Sequence, residues 1–427
     1  MEEYYLEPQR KIRIRQRTQV LVVGAGPAGV AAAICAAREG AKVLLIEQKE
    51  TLGGVSTVGL MSHFTGSVNS RFYREVLARQ KLLDGRGPEV EDTVIDTEML
   101  KIAYVQMLEE SGAEMLLNTV VSDAICKDGK VEGVIIESKA GREAAFTDIV
   151  IDCSGDGDVA AKAGAEFFLG RESDGKQQPA TLMLKLGGVD DSRAIFPWMF
   201  EAKIDTPKGE IQTLASRELP FPMGHVLLYR TNVPGLVTCN MTNCIGIDGT
   251  KTEDLTRAES VCRKQIYDVV QFLREYAPGY ENCYAVTSAS LMGIRETRHF
   301  RGEYVLTERD IYEARMFDDW VVKDAHFNFD IHNLSGSGLD ETGLQKEFKQ
   351  TKGYEIPYRC LLPKSTENVL LAGRCISGTH LAHSSYRAMP ICMAMGEGAG
   401  YAAAISVKRN IPLRAVNVRE IQTLLGV

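Results

Sequence analysis

The stretch Thr18–Glu47, TQVLVVGAGPAGVAAAICAAREGAKVLLIE, decides how the rest of the chain is read. Its opening, Thr18 to Val23, is an apolar run of the length of a short buried strand. Gly24-Ala-Gly26-Pro-Ala-Gly29 follows at once, and small residues from Val30 to Glu39 predict a helix that can lie close to a sheet. Gly40 ends that helix, and Lys42–Glu47 reads as a second strand. Each glycine has a task in such a unit. Gly24 allows the tight turn, Gly26 lets the backbone approach a pyrophosphate, and Gly29 lets helix and strand pack closely. The helix then offers free N–H groups and its positive end to phosphates. Glu47 stands 18 residues after Gly29, where an acid can accept hydrogen bonds from a ribose diol. A glycine-rich structural turn leaves Glu47 unexplained, so this is a dinucleotide cradle.

The remaining composition narrows the class. A chain of 427 residues is long for a single core, so two domains, or one domain interrupted by another, are expected. Hydrophobic residues make up 44% and charged residues 25%, as in an ordinary globular protein. A net charge of −8 speaks against nucleic acid or an anionic membrane as partner. The basic run Lys11–Arg17 alternates with apolar residues and reads as a strand with a solvated face. The acidic start and short, glycine-broken apolar stretches predict neither a signal peptide nor a transmembrane helix, and a cytoplasmic location is expected. The ten cysteines are scattered, with no C-x-x-C, so reduced thiols and no metal are expected.

Gln48-Lys-Glu-Thr-Leu-Gly53-Gly54 comes directly after the ribose acid. With it the chain resembles the large superfamily of FAD-dependent oxidoreductases that includes glutathione reductase and fumarate reductase. Gly53–Gly59, Gly293–Arg298 and Tyr304-Val-Leu-Thr add to the resemblance, which covers most of the chain and is thin between 190 and 285. The resemblance implies an α/β fold, a Rossmann-like FAD-binding domain of glutathione-reductase type interrupted by a mixed α+β substrate domain. The expected division is 1–178 and 353–427 for the FAD domain and 179–352 for the substrate domain. It also implies FAD as cofactor. Gly24, Gly26, Pro27, Ala28, Gly29 and Glu47 would form the cradle, with Gln48, Gly53, Gly54, Ser56 and Thr57 next to it. Val121, Ser154, Gly155 and Asp156 would contact the cofactor from the second motif, and Gly373, Arg374, Met389 and Pro390 from the last strand and helix. Asp156 and Asp158 read equally well as a turn residue and a helix cap.

Three absences limit the chemistry. No cysteine lies between 53 and 75, where disulfide reductases of this superfamily carry their redox pair. No second nucleotide fingerprint is present, and G-x-S-x-G is missing.

A flavin carries the electrons itself, and the protein supplies orientation, a proton donor or acceptor, and a positive field. His63, in Leu60-Met-Ser-His-Phe, is a candidate acid/base, flavin contact or covalent tether, or else a packed histidine. Arg295 and Arg298, three apart on one helical or turn face, would hold a carboxylate or pair with Glu296 and other acids. His326 and His332 could line the cleft, but read better as surface histidines of a loop. The stretch Gly378–Pro390, GTHLAHSSYRAMP, would link pyrophosphate to flavin ring, with His380 and Arg387 as candidate catalytic groups. Its two histidines, three apart with no nearby acid, make a poor metal signature. The expected reaction is hydride transfer between a small polar substrate and the flavin, with a separate electron donor or acceptor. The other reading is a structural FAD serving partner binding or assembly. Oligomeric state is open.

Overall fold

The signature stretch forms the strand Arg13–Val23, the helix Pro27–Arg38 and the strand Val43–Ile46, in a computed structural model that describes residues 3–85, 90–340 and 344–427. The two strands pair in parallel, Val20 opposite Val43 and Val23 opposite Ile46. The parallel sheet continues to Glu114–Leu116 on one side and to Gly141–Asp152 on the other. Gly141–Asp152 is long enough to serve two neighbours along its far edge. Its first half pairs antiparallel with Lys130–Ser138, and its end pairs parallel with Val369–Leu371. Val120–Lys127 completes the expected meander. The basic run lies in the first strand, with Arg15 paired to Glu143 at 3.2 Å and Arg17 over the Phe146 ring.

Small residues let two helices lie almost in contact over this sheet. The last long helix, Met389–Arg409, crosses the Pro27–Arg38 helix at glycines. A Cβ on Gly396 would stand 2.0 Å from the Ala28 carbonyl oxygen, and one on Gly400 2.6 Å from that of Ala32. The sequence therefore reads as alanine and glycine where the backbones touch.

A second core is built from four antiparallel strands, in the order Leu228–Arg230, Val237–Cys239, Leu184–Gly187, Tyr284–Ser288. The expected long amphipathic helix spans Thr252–Tyr276 and buries Ala258, Cys262, Val269 and Leu273 at helical spacing. Leu186, Leu214, Val237 and Leu273 share this core. The chain leaves it earlier than the expected boundary at 352. Phe300, Leu306, Val321 and Ile331 pack into the first core with Val20 and Ile151. The cause is strand pairing: Arg298–Phe300 pairs with Phe167–Leu169, and Trp320–His326 with Ser67–Asn69 and Tyr354–Pro357. Among the described residues no helix is long and apolar enough to cross a membrane, and all ten cysteines are free.

Candidate functional site

The loop Gly24–Gly29 divides its glycines between two tasks. Gly24 has φ +92°, and a Cβ there would stand 2.5 Å from the Cys153 carbonyl oxygen. A Cβ on Gly29 would stand 1.8 Å from the Gly24 carbonyl oxygen. Both are glycine because protein fills the space. Gly26 has nothing within 4 Å of a built Cβ, and it faces a cavity. That void is where a pyrophosphate would come against the backbone.

Most of the expected cofactor contacts line this same cavity. Gly24, Gly26, Pro27 and Ala28 form one wall, with Glu47, Gln48 and Gly54 beside them. Val121, Ser154, Gly155 and Asp156 form another, and Gly373, Arg374 and Met389 a third. The Glu47 carboxylate is held by the Ala25 N–H at 2.6 Å and the Lys49 N–H at 2.8 Å. Asp152, which the sequence does not single out, anchors the second wall. It is fully buried and accepts from the Ser154 hydroxyl at 2.7 Å and the Ala160 N–H at 2.9 Å. Burial pushes its carboxyl up to about 6, against the pull of those bonds. Arg374 pairs with Asp156 at 2.9 Å, and its Nη1 is buried with no hydrogen-bond partner. An unsatisfied guanidinium nitrogen beside an open glycine loop fits an anionic cofactor.

Five expected contacts do not line the cavity. The Ser56 hydroxyl donates to the Gly53 carbonyl at 2.7 Å, and that of Thr57 to the Leu52 carbonyl at 2.5 Å. Both are buried because they fix the turn at Gly53, where φ is +101°. Gly29 and Gly53 act through packing, and Pro390 lies in the first turn of its helix, where no N–H is lost.

A second cavity of about 530 Å³ adjoins the first. Val55, Ile294, Arg374, Arg387 and Met389 line both, so the two meet at the N-terminus of the Met389–Arg409 helix. Its walls are largely apolar and aromatic, with Met61, Phe64, Trp198, Phe200 and Phe329. The polar groups converge at one end. Arg387 Nη2 donates to the Asp330 carboxylate at 2.8 Å and to the Asp330 carbonyl at 2.9 Å. His332 Nε2 stands 3.5 Å from the same carboxylate. Arg295 Nη1 donates to the Pro179 carbonyl at 2.5 Å. The His63 ring packs at 5.0 Å from Tyr229, with Nδ1 2.7 Å from the Ser62 hydroxyl.

Burial sets the charges here. It lowers His63, drives His332 down to about 4, and drives His225 behind it down to about 3. Arg295 falls to about 10, through burial first and then the field of Arg387. Burial would raise the Asp330 carboxyl, but His332 first, and then the Arg387 and Arg295 guanidiniums, outweigh it and hold it well below the usual range. With the imidazoles neutral, Arg387 and Arg295 are the cations that keep it ionised. Among the described residues Arg295 makes no ion pair, and the cavity's other carboxylate, Glu201, is exposed.

Of the candidate catalytic residues, Arg387, Arg295 and His63 line this cavity, and Arg298 and His380 do not. Arg295 and Arg298 share no helical face, because Arg298 begins a strand. Its guanidinium pairs with Asp158 at 2.9 Å and caps the Asp156 carbonyl at 2.9 Å. His380 turns away to the Glu296 carboxylate at 2.6 Å, because the stretch after Thr379 folds as a helix, His380–Tyr386. His332, expected on the surface, is buried at the site, and His326 stays half-buried beside Asp324. Asp330, Tyr229 and His332 come from segments whose meeting depends on tertiary contacts, with no local signal to announce it.

The family described as FAD dependent oxidoreductase matches residues 19–425. A thiamine thiazole synthase of Aeropyrum pernix is 34% identical over 125 residues, covering 28% of this chain and 44% of the synthase. The chain thus spans less than half the length of that relative. CabE, an aromatic hydroxylase from angucycline biosynthesis, superimposes with a TM-score of 0.50 at 14% identity, covering 96% of this chain and 65% of that one. OxyS anhydrotetracycline hydroxylase from Streptomyces rimosus gives 0.50 at 12%, with the same coverages. These last two likenesses are of fold.

Proposed function

The chain belongs to the FAD-dependent oxidoreductase family, and on that premise we propose that it transfers a hydride between FAD and a small substrate with an apolar or aromatic body and one anionic group. The observation that carries the reading is the buried Arg295 guanidinium, which makes no ion pair among the described residues. Arg387 pairs with Asp330 and Arg295 with no carboxylate among the described residues, in a largely apolar cavity that opens onto the nucleotide cradle and has the exposed Glu201 on its wall. A buried cation without a counter-ion is costly, and a substrate carboxylate supplies one. The apolar walls revise the expected small polar substrate.

Bound FAD would supply the two-electron acceptor or donor. The chain's own groups do the rest. Arg295 holds the anionic group, and Arg387, fixed by Asp330, orients it at the junction of the two cavities. His63 and His332 are uncharged at neutral pH and able to take the proton that accompanies the hydride.

The test is anaerobic mixing of the yellow protein with a panel of hydroxy acids, aromatic carboxylates and uncharged analogues, followed by flavin absorbance. Bleaching by acids, with at least ~10-fold weaker binding in Arg295→Ala, is the expected result. No bleaching across the panel, with no reoxidation of the chemically reduced protein by electron acceptors, would make the FAD structural.

A further inference from the structure

Three of the seven histidines converge on one buried carboxylate outside both cavities. Glu296, His299 and His383 are all buried, and one donor atom of each lies within 4.8 Å of the others. His299 Nε2 is 2.9 Å from Glu296 Oε1, and His380 Nδ1 is 2.6 Å from the same oxygen. The other carboxylate oxygen accepts from the Gln178 N–H at 3.0 Å. Yet Nδ1 of His299 and Nδ1 of His383 are buried with no hydrogen-bond partner. Such orphaned nitrogens are rare unless something else satisfies them. The rings are also held in place. Phe168 stacks on His299 at 5.0 Å and 13°, and His383 meets His299 at 4.9 Å and Tyr386 at 5.4 Å, edge to face.

We propose that Glu296, His299 and His383 bind a divalent first-row transition-metal ion, Zn²⁺ being the probe of choice, with His380 steadying the carboxylate. Two imidazoles and a carboxylate are the donor set of such ions, and the apolar ring contacts disfavour Ca²⁺ or Mg²⁺, which take oxygen ligands and water. Metal bonds of ~2.0–2.2 Å place donors roughly 3–3.5 Å apart. His299 would ligate through Nε2, which at 2.9 Å from Glu296 already stands close to that spacing, so its orphaned Nδ1 is not a donor, and a donor atom of His383 lies within 4.8 Å of both. The His380 backbone N–H donates to the exposed Glu172 at 2.9 Å, which puts an acidic residue at the outer rim, on a route in for a cation. In sequence the pair His380 and His383 lacks an acid; the fold supplies Glu296. The ion would clamp the 296–299 segment to the helix that ends at Arg387, whose N–H donates to the His383 carbonyl at 3.1 Å. It is a positioning site, and the hydride step does not pass through it.

The experiment uses the FAD-loaded protein, stripped with a chelator, dialysed against ZnCl₂ and analysed for metal by mass spectrometry. One zinc per chain is expected, bound at least ~10-fold more weakly by His383→Ala and by Glu296→Gln, and unchanged in His326→Ala. Bound-flavin absorbance and the metal-free melting temperature report whether each variant folds. A variant that does not fold is replaced by zinc-edge anomalous diffraction from soaked crystals of the unaltered protein, with a peak expected among the three side chains. Zinc absent, equally held by both folded variants, or found only elsewhere overturns the proposal.

Discussion

Arg387 donates through one nitrogen to both the carboxylate and the carbonyl of Asp330, and its guanidinium lines the nucleotide cavity as well as the substrate cavity. A cation so placed is fixed before substrate arrives. Arg387→Ala is expected to slow flavin reduction by at least ~100-fold with FAD retained, as read by stopped-flow absorbance. An unchanged rate would return Arg387 to a packing role.

Gly26 and Gly29 separate binding from folding. Gly26→Val puts its side chain into the open cavity, so the variant is expected to fold normally and purify colourless. Gly29→Ala drives a methyl group into the Gly24 carbonyl and is expected to lose stability and FAD together. Circular dichroism melts beside flavin absorbance distinguish the two outcomes, and a yellow Gly26→Val of normal FAD affinity contradicts the cradle.

His225 and His332 make stability depend on acid. Their folded values, about 3 and about 4, lie below the ordinary value of 6.5 that they regain on unfolding. The unfolded chain therefore binds more protons below that value, and their contribution, complete above it, is lost as pH falls toward 4. Asp152, raised to about 6, works in the opposite sense, so the comparison is with a variant. The melting temperature of His225→Gln/His332→Gln is expected to fall less steeply between pH 6.5 and pH 4 than that of the parent.

Leu273 lies wholly within the second core. Leu273→Ala is expected to cost ~2–5 kcal/mol in denaturant unfolding. FAD should stay bound at 25 °C, because no residue of that core lines the nucleotide cavity. Loss of flavin at the same denaturant concentration would show the two cores to be one cooperative unit.

The nucleotide cradle was legible because its signal is local. Glycines at 24, 26 and 29 and an acid at 47 are fixed by one turn, one helix and one strand. The later walls, 154–156 and 373–374, followed once the first was placed. The substrate cavity was half legible. His63, Arg295 and Arg387 stood near glycine turns or the last helix. Asp330 and His332 lie in a segment without periodicity, whose burial depends on Phe200, Arg295 and Arg387 from elsewhere in the chain. His380 was misplaced for want of its cap: Thr379 accepts from the Ala382 N–H at 3.2 Å, starting a helix within the stretch expected to link pyrophosphate to flavin ring.

The Arg387 guanidinium, which shares the wall of both cavities with Arg374, makes them one electrical compartment. A carboxylate docking on the substrate side dims the positive potential felt on the nucleotide side. Electrons arriving there as negative charge dim it on the substrate side in turn. The two effects are equal by thermodynamic linkage. With FAD held there as proposed, occupancy would shift its reduction potential, and reduction would loosen the grip on an anionic product. Under that reading Arg387 would act as a timing device as well as a clamp, favouring release once electrons had moved onto the flavin.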